Sequence, residues 1–530
     1  MDHGRLNELI GAAWGAQLRC RYDAARGVSE VDCERALLAP LCGRLFHEWG
    51  FAFAGLVVEE GASDWALRYV FYGGGREAGA WVHVLATAPL ADATFPSIAV
   101  QARIFGADWH EREAEDLFGV HFEGHPRLGD FVLHDDAWQE GVQPMRRGFD
   151  AQAALRNRRP AEDWRPRRVV QESGAFLLPV GPKFSGVTES VLFQLETVGE
   201  DVIRSWTRLF YKWRAVEKLA EGKAPEDALL LAERFSATTA FAHGLAFCRA
   251  IEAIGGADIP ARARLLRIFL AELERLRQHA GAVQEICEST ALVIASSQAG
   301  LIEEELLRVC GELTGHRYLF GLLAPGGLAA DLPAAACARA LQDARAAAAK
   351  LDELERRLTV SSSFLDRLEE VGVIWTRTAK AYSLVGPVAR ASGLARDLRR
   401  AQPYLGYDAF DFEVPVEEEG DGYARLRVLV AEARQSARIM GQALAAMQAG
   451  PVRAPVAVAP GAALGWVEAP RGATFHWVRL DGAGRVARYR AITPSFANWH
   501  SFHLGAEKFA FQDFPIILST FDLSAGENDR

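Results

Sequence analysis

The sequence predicts an α+β protein with an α/β region over 1–155, a linker over 156–175, and a mainly helical region with small sheets over 176–530. Three observations lead there. The first region switches between helical and extended hydrophobic period. A helical period recurs in long stretches between 205 and 436. The residues joining the two regions carry charge and proline without period. With 530 residues, 50% hydrophobic and 24% charged, the chain can bury more than one core.

Residues 33–49 read as a helix. Residues 51–60, 65–72 and 80–86 read as strands, and helical signals return at 97–105 and 109–118. The linker holds Pro160 and Pro166, and its arginines read as a solvated stretch rather than a nucleic-acid patch. Beyond it, 176–179 and 190–196 read as paired strands around Gly181-Pro182. Helices are expected at 205–221, 236–254, 261–285, 329–358 and 423–436. The strongest is 261–285: Leu265, Phe269, Leu273 and Leu276 recur every three or four residues, with Glu and Arg between them, behind Pro260. The stretches 466–470, 474–480 and 486–491 read as a small sheet, and the acidic run 417–421 as a solvated loop.

Several function classes are excluded. A net charge of -10 argues against a phosphate-backbone binder, so no nucleic-acid partner is expected. The seven cysteines contain no Cys-x-x-Cys, so no local iron-sulfur or zinc signature exists, and they read as buried free thiols of a reducing compartment. No apolar run reaches 18 residues, and the N-terminus has no apolar signal region. No Gly-x-Gly-x-x-Gly follows a strand, and no nucleophile elbow is present.

Two groups of motifs carry a resemblance. The first is Glu111-Arg112-Glu113-Ala114-Glu115-Asp116-Leu117-Phe118-Gly119-Val120, followed by Phe122, Gly124, His125 and Pro126. It resembles the 30-kDa subunit of respiratory complex I, with Gly129-Asp130 where that family has an arginine pair. The second is Gly386-Pro387-Val388-Ala389-Arg390-Ala391-Ser392-Gly393, then Arg396-Asp397, Pro403-Tyr404, 410–415, 420–423, Pro470-Arg471-Gly472 and Pro494-Ser495-Phe496. It resembles the 49-kDa subunit of complex I and the large subunits of membrane-bound [NiFe] hydrogenases. The fused order is similar to the large subunit of formate hydrogenlyase and to some bacterial complex I proteins.

The departures from these families bear on function. The hydrogenase pattern Arg-x-Cys-Gly-x-Cys-Gly-Phe-Ala-His matches Arg234 to His243, with Ser236 and Thr239 at the cysteine positions. The C-terminal pattern Asp-Pro-Cys-x-x-Cys matches Asp522 to Glu527, with Ser524 and Glu527 at the cysteine positions. All four thiolates that hold nickel in that family are replaced, so no hydrogenase activity is expected. The resemblance also brings complex I's Gly-Pro-x-His-Pro loop onto Gly181-Pro182-Lys183-Phe184-Ser185, and Ala237 onto a tyrosine. The usual quinone headgroup donors are therefore missing, with Lys183 a substitute donor or a plain surface lysine.

The remaining candidates are His243 as a proton relay or a satisfied buried histidine, and Arg390 holding a carboxylate such as Glu217 or Asp522. His279 reads as a satisfied interior histidine. The chain is expected to bind no cofactor of its own. The resemblance implies a small-subunit partner with a [4Fe-4S] cluster, ferredoxin-like, membrane-anchor and antiporter-like subunits, and a peripheral place on the cytoplasmic side of the inner membrane. Two functions stand. One is redox participation, relaying electrons from the partner's cluster to a quinone or other acceptor with ion translocation. The other is a non-catalytic structural or regulatory subunit. An open polar cavity favours the first; filling by Trp213, Phe184 or Phe514 favours the second, and the aromatic run 509–514 tilts toward filling.

Overall fold

The computed structural model describes residues 1–24, 26–75, 79–139, 141–166, 168–183 and 189–530. In the first part, strands Arg19–Asp23, Val28–Asp32, Phe51–Glu60, Asp64–Gly73 and Trp81–Pro89 form one sheet, ordered first, second, fifth, fourth, third. The second and fifth run parallel and the other neighbours antiparallel. The three strands expected over 51–86 are present. The opening hairpin has no counterpart among the expected strands, because its edge strand, Arg-Cys-Arg-Tyr-Asp, buries little and has no apolar alternation. Helices Arg35–Gly43 and Asp108–Phe118 pack against this sheet. Of the helix expected over 97–105 only Ile98–Gln101 forms.

Among the described residues of 157–174 there is no helix or strand. The segment is tied down all the same. Trp164 Nε1 donates to Asp130 Oδ2 at 3.0 Å, and the amides of Val169 and Val170 donate to Glu196 at 2.7 and 2.5 Å. Beyond it, Ala175–Val180 pairs antiparallel with Leu192–Val198, as expected.

The helix expected over 205–221 is a correction. Residues Asp201–Arg208 form a strand paired with Leu192–Val198, and only Val216–Ala220 is helical. The segment Val-Ile-Arg-Ser-Trp-Thr is rich in β-branched and aromatic residues, and the free edge of Leu192–Val198 satisfies its backbone in the extended form.

The helical body centres on Ala261–Ser289, which packs on Gly422–Ala446, Val293–Thr314 and Ala240–Gly255. Its glutamates and arginines do not form a solvated face. Arg267, Glu272, Glu274, Arg275, Arg277, Gln278 and His279 are all buried. Ala334–Leu358 packs closely through Ala340, Ala344, Ala347 and Ala348, beginning after Pro333 rather than at 329. The helix expected over 423–436 runs on as Gly422–Ala446. The acidic run before it is not a simple solvated loop, since buried Asp421 caps this helix by accepting from the Ala424 amide at 2.8 Å.

Strands Gly461–Ala469, Gly472–Leu480 and Val486–Ile492 form an antiparallel sheet on helix Ala240–Gly255. The two parts of the chain share their apolar clusters. Ala52, Tyr72 and Trp81 pack with Phe475 and Leu464, and Phe131 and Met145 share a cluster with Phe193, Phe496 and Phe521. No helix among the described residues is long and apolar enough to cross a membrane.

Candidate functional site

The residue before Ser236, Phe235, is buried against His243, which holds the chain extended at Ser236 before a single 3-10 turn at Ala237–Thr239. Helix Ala240–Gly255 therefore starts four residues later than expected. Its first free amides, Phe241 and Ala242, donate to the Glu274 carboxylate at 2.8 and 3.0 Å. On the other side, helix Phe514–Phe521 stops at Asp522, whose φ of 47° turns the chain back on itself. The terminal turn 524–527 is thereby delivered to the start of helix Ala240–Gly255.

The four positions that the resemblance marks as former nickel ligands meet there. Ser236 Oγ and Thr239 Oγ1 lie 2.7 Å apart, and Thr239 Oγ1 donates to Glu527 Oε1 at 2.9 Å. Ser236 Oγ is 3.5 Å from the same oxygen. The Glu527 amide donates to Ser524 Oγ at 3.2 Å, and the Ser495 amide donates to Glu527 Oε2 at 3.2 Å. Arg471 Nη1 stands 3.4 Å from Glu527 Oε1, while its Nη2 pairs with Asp522 at 3.2 Å. Gln278 donates to both Asp522 oxygens at 2.9 and 3.1 Å. Burial pushes the Glu527 carboxyl up, but the adjoining His243 and Arg471 outweigh it and hold it well below the usual carboxylate range.

A chain of rings leads away from the carboxylate. His243 Nε2 lies 3.6 Å from Glu527 Oε1, His243 Nδ1 is 3.1 Å from His476 Nε2, and His476 Nδ1 is 2.9 Å from the Tyr489 hydroxyl. Burial first, then His243 and Arg530, hold His476 far below its usual value, so it is a neutral ring with one proton to share.

The other candidates separate. Arg390 holds neither Glu217 nor Asp522. It pairs with Glu432 at 2.5 Å and Glu468 at 2.7 Å, inside a buried network where Arg399 pairs with Asp397 at 2.7 Å and Glu272 at 3.0 Å. His279 joins this network at Glu432, 2.9 Å away. Glu217 belongs to another cluster, with Arg488, Arg490 and Arg530 at 3.2, 3.3 and 3.2 Å. Those pairings follow from which helix or strand faces which, information that no local spacing contains. Lys183 is exposed, and its neighbour Phe184 lies outside the described residues. Trp213 packs in the cluster of the first part. Phe514 packs on Phe193 and Phe502 at ring distances of 5.0 and 5.7 Å. The run 509–514 serves the sheet: Phe509–Ala510 pairs with strand Asp201–Arg208. Among the described residues, a carboxylate occupies the meeting point of the four positions.

Sequence reasoning missed Glu189, His476, Tyr489 and the role of Arg471. Arg471 had a signal, in Pro470-Arg471-Gly472. Glu189, which accepts from Ser524 Oγ at 2.8 Å, follows residues 184–188 outside the described set and had none.

Nickel does not fit these residues. The donors are three hydroxyls and one carboxylate. Thr239 already donates to the carboxylate, and Arg471 stands beside it. No soft thiolate is offered. Of the seven cysteines, all free, six are buried. Among the described residues no group of three or more His, Cys, Asp or Glu side chains is placed to hold a metal ion.

An N-terminal sheet fused to a helical body that buries an oxygen-lined polar cluster is the architecture of a subunit of an oxidoreductase related to complex I and hydrogenases. Comparison with known families agrees. The family described as respiratory-chain NADH dehydrogenase, 30 Kd subunit, matches residues 31–154, and the corresponding 49 Kd subunit matches 301–458 and 453–530. The C/D subunit of NADH-quinone oxidoreductase from Rhodopseudomonas palustris (strain BisB18) is 30% identical over 472 residues, covering 80% of each chain. Formate hydrogenlyase subunit 5 of Escherichia coli (strain K12) is 29% identical over 456 residues, 85% of this chain and 79% of the relative. The C/D subunit of the Bdellovibrio bacteriovorus enzyme is 29% identical over 460 residues, 80% and 81% of the two chains. The chain belongs to the fused 30-kDa/49-kDa family of complex I subunits.

Proposed function

We propose that this chain is the large peripheral subunit of a complex I-like membrane oxidoreductase and acts in proton coupling rather than in turnover at a metal. In this reading 1–155 and 176–530 are its two functional units, joined by 156–175. It docks on a small subunit that holds a [4Fe-4S] cluster, with ferredoxin-like, anchor and antiporter-like subunits alongside, on the cytoplasmic side of the inner membrane. Electrons pass from the partner to a quinone or another acceptor, and this chain links that transfer to ion translocation. The observation that carries the reading is the Glu527 carboxylate among Ser236, Thr239 and Arg471, with His243 at 3.6 Å leading on to His476 and Tyr489. A pocket kept only for packing fills best with apolar groups, whereas this one retains groups that exchange protons.

The structural reading is favoured by one observation, the burial of all four positions, none more than 5% exposed. One experiment separates the two. The complex is purified with His243→Gln or Glu527→Gln, and electron transfer to a soluble quinone analogue is compared with assembly. Normal assembly with turnover reduced about tenfold or more supports proton coupling. Normal assembly with unchanged turnover leaves a structural subunit.

A further inference from the structure

A cavity of about 630 Å³ lies where helix Asp108–Phe118 and the segment 126–131 meet strand Asp201–Arg208 and helix Pro494–Ala506. It is separate from the Glu527 site, sharing no lining residue with it. Its size falls in the range of small-molecule sites. Four indoles line it, the half-buried Trp164 and Trp206 and the buried Trp109 and Trp499; Arg208 covers one face of Trp164, and Trp109 stacks on His500.

Arg112, Arg127, Arg204 and Arg208 line it together with Asp130 and Glu507, and Asp108 and Asp136 stand behind them. Three of the arginines are already paired: Arg127 with Asp108 at 3.1 Å, Arg204 with Glu507 at 3.1 Å, and Arg208 with Asp130 and Asp136 at 2.9 and 2.8 Å. Arg112 has no carboxylate within ion-pair distance among the described residues. Its guanidinium rests on the Phe131 ring at 4.3 Å and reaches only the carbonyls of Gly129 and Asp130, at 3.4 and 3.3 Å, leaving Nε without a partner. Burial drives its pKa down to about 10, with Arg127 adding to the fall and the carboxylates of Asp108, Asp130 and Asp116 opposing it. The hydroxyls of Ser205 and Thr207, which also line the cavity, have no hydrogen-bond partner among the described residues.

We infer that this cavity is a binding site for a small planar aromatic anion, with the ring between indoles and the anionic group on Arg112. The inference goes beyond the proposed function and does not depend on it. The phosphate and carboxylate forms of such a ligand share this chemistry, and the choice of probes separates them.

The test is calorimetric titration of the full chain, and of the assembled complex, with flavin mononucleotide, adenosine 5′-monophosphate and 1-naphthoate. One of the three is expected to bind at one site per chain. Preference for the nucleotides identifies a phosphate, and preference for naphthoate a carboxylate. Arg112→Met is expected to weaken binding about tenfold or more. Thr207→Trp, which fills the cavity from the strand and leaves Arg112 in place, is expected to abolish it. Failure of all three probes at millimolar concentration overturns the inference. So does full binding in a folded Arg112→Met or Thr207→Trp variant. Binding by the isolated chain that disappears in the complex also overturns it, because a partner chain then covers the cavity.

Discussion

Thr239 Oγ1 donates to Glu527 Oε1 at 2.9 Å, joining residues 288 positions apart in the buried cluster that holds Ser236, Arg471 and Ser524. That carboxylate also lies beside Arg471 and so belongs to the stability of the fold. Glu527→Ala leaves the guanidinium with Asp522 as its one carboxylate partner among the described residues, and takes the acceptor from the Thr239 hydroxyl and the Ser495 amide. We expect a loss of about 3 kcal/mol in urea unfolding at pH 7. The folded pKa of Glu527 is depressed, so its contribution is present above the ordinary carboxylate range and is lost as pH falls below it. The difference between wild type and variant should therefore shrink at acid pH. Equal midpoints at pH 7 would contradict this role.

The convergence of positions 236, 239, 524 and 527 makes a reconstruction possible. Changing Ser236, Thr239, Ser524 and Glu527 together to cysteine should create a soft-metal site, because the backbone already brings the four residues together. Cadmium titration should give thiolate-to-metal absorption at one ion per chain. Wild type should give none. Absence of the band in a folded variant would show that the side chains do not converge as described.

The Arg399 network is the sternest test of the buried charges. Arg399→Met takes from the buried Glu272 and Asp397 their shared partner, leaving Glu272 with Arg275 at 3.2 Å and Asp397 with Arg390 at 3.8 Å, and should cost about 3 kcal/mol. Arg5→Met, which breaks an exposed pair with Glu8, should change stability by less than about 1 kcal/mol. Comparable losses in the two variants would mean the network is not desolvated.

Glu111 gives a pH dependence of the opposite sign to Glu527. Burial raises it to about 8, against the opposing hydrogen bonds from Ser97 and the amides of Ala99 and Ile98. The folded state then holds a proton that the unfolded chain releases above the ordinary carboxylate range. Stability falls as pH rises through the interval up to about 8. Glu111→Gln can keep these contacts without a charge. Its melting temperature should gain on wild type as pH rises from about 5 to 9. A constant difference across that range would rule out a titrating Glu111.

Gly386 shows how a backbone requirement supports the site. Its φ is 68°, and a β-carbon there would collide with the carbonyl oxygen of Arg471. Gly386→Ala should displace the Arg471–Gly472 turn and destabilise the chain by more than about 1 kcal/mol. Unchanged melting would argue against this close packing.

Much of the architecture is legible in the amino-acid order alone. The strands over 51–86, the helix from Ala261 and the sheet over 461–492 follow from local period, because alternating or helical apolar spacing needs only the adjacent residues. The stretch 205–221 reads as helix by period, yet its start belongs to strand Asp201–Arg208, whose extended form depends on the free edge of Leu192–Val198. Positions 236, 239, 524 and 527 are visible only through the resemblance of their strings, because the chain separates them by nearly three hundred residues.

Spacing also places Glu272, Arg275 and His279 on one helix, but it does not say that they are buried or that Glu432 and Arg399 face them. Periodicity reports the apolar face of an element and carries nothing about its neighbours. Which charge meets which, and that a carboxylate among the described residues occupies the meeting point of positions 236, 239, 524 and 527, was decided by tertiary packing alone. Burial makes each unpaired charge costly, so the folded arrangement has to supply partners that are remote in the chain.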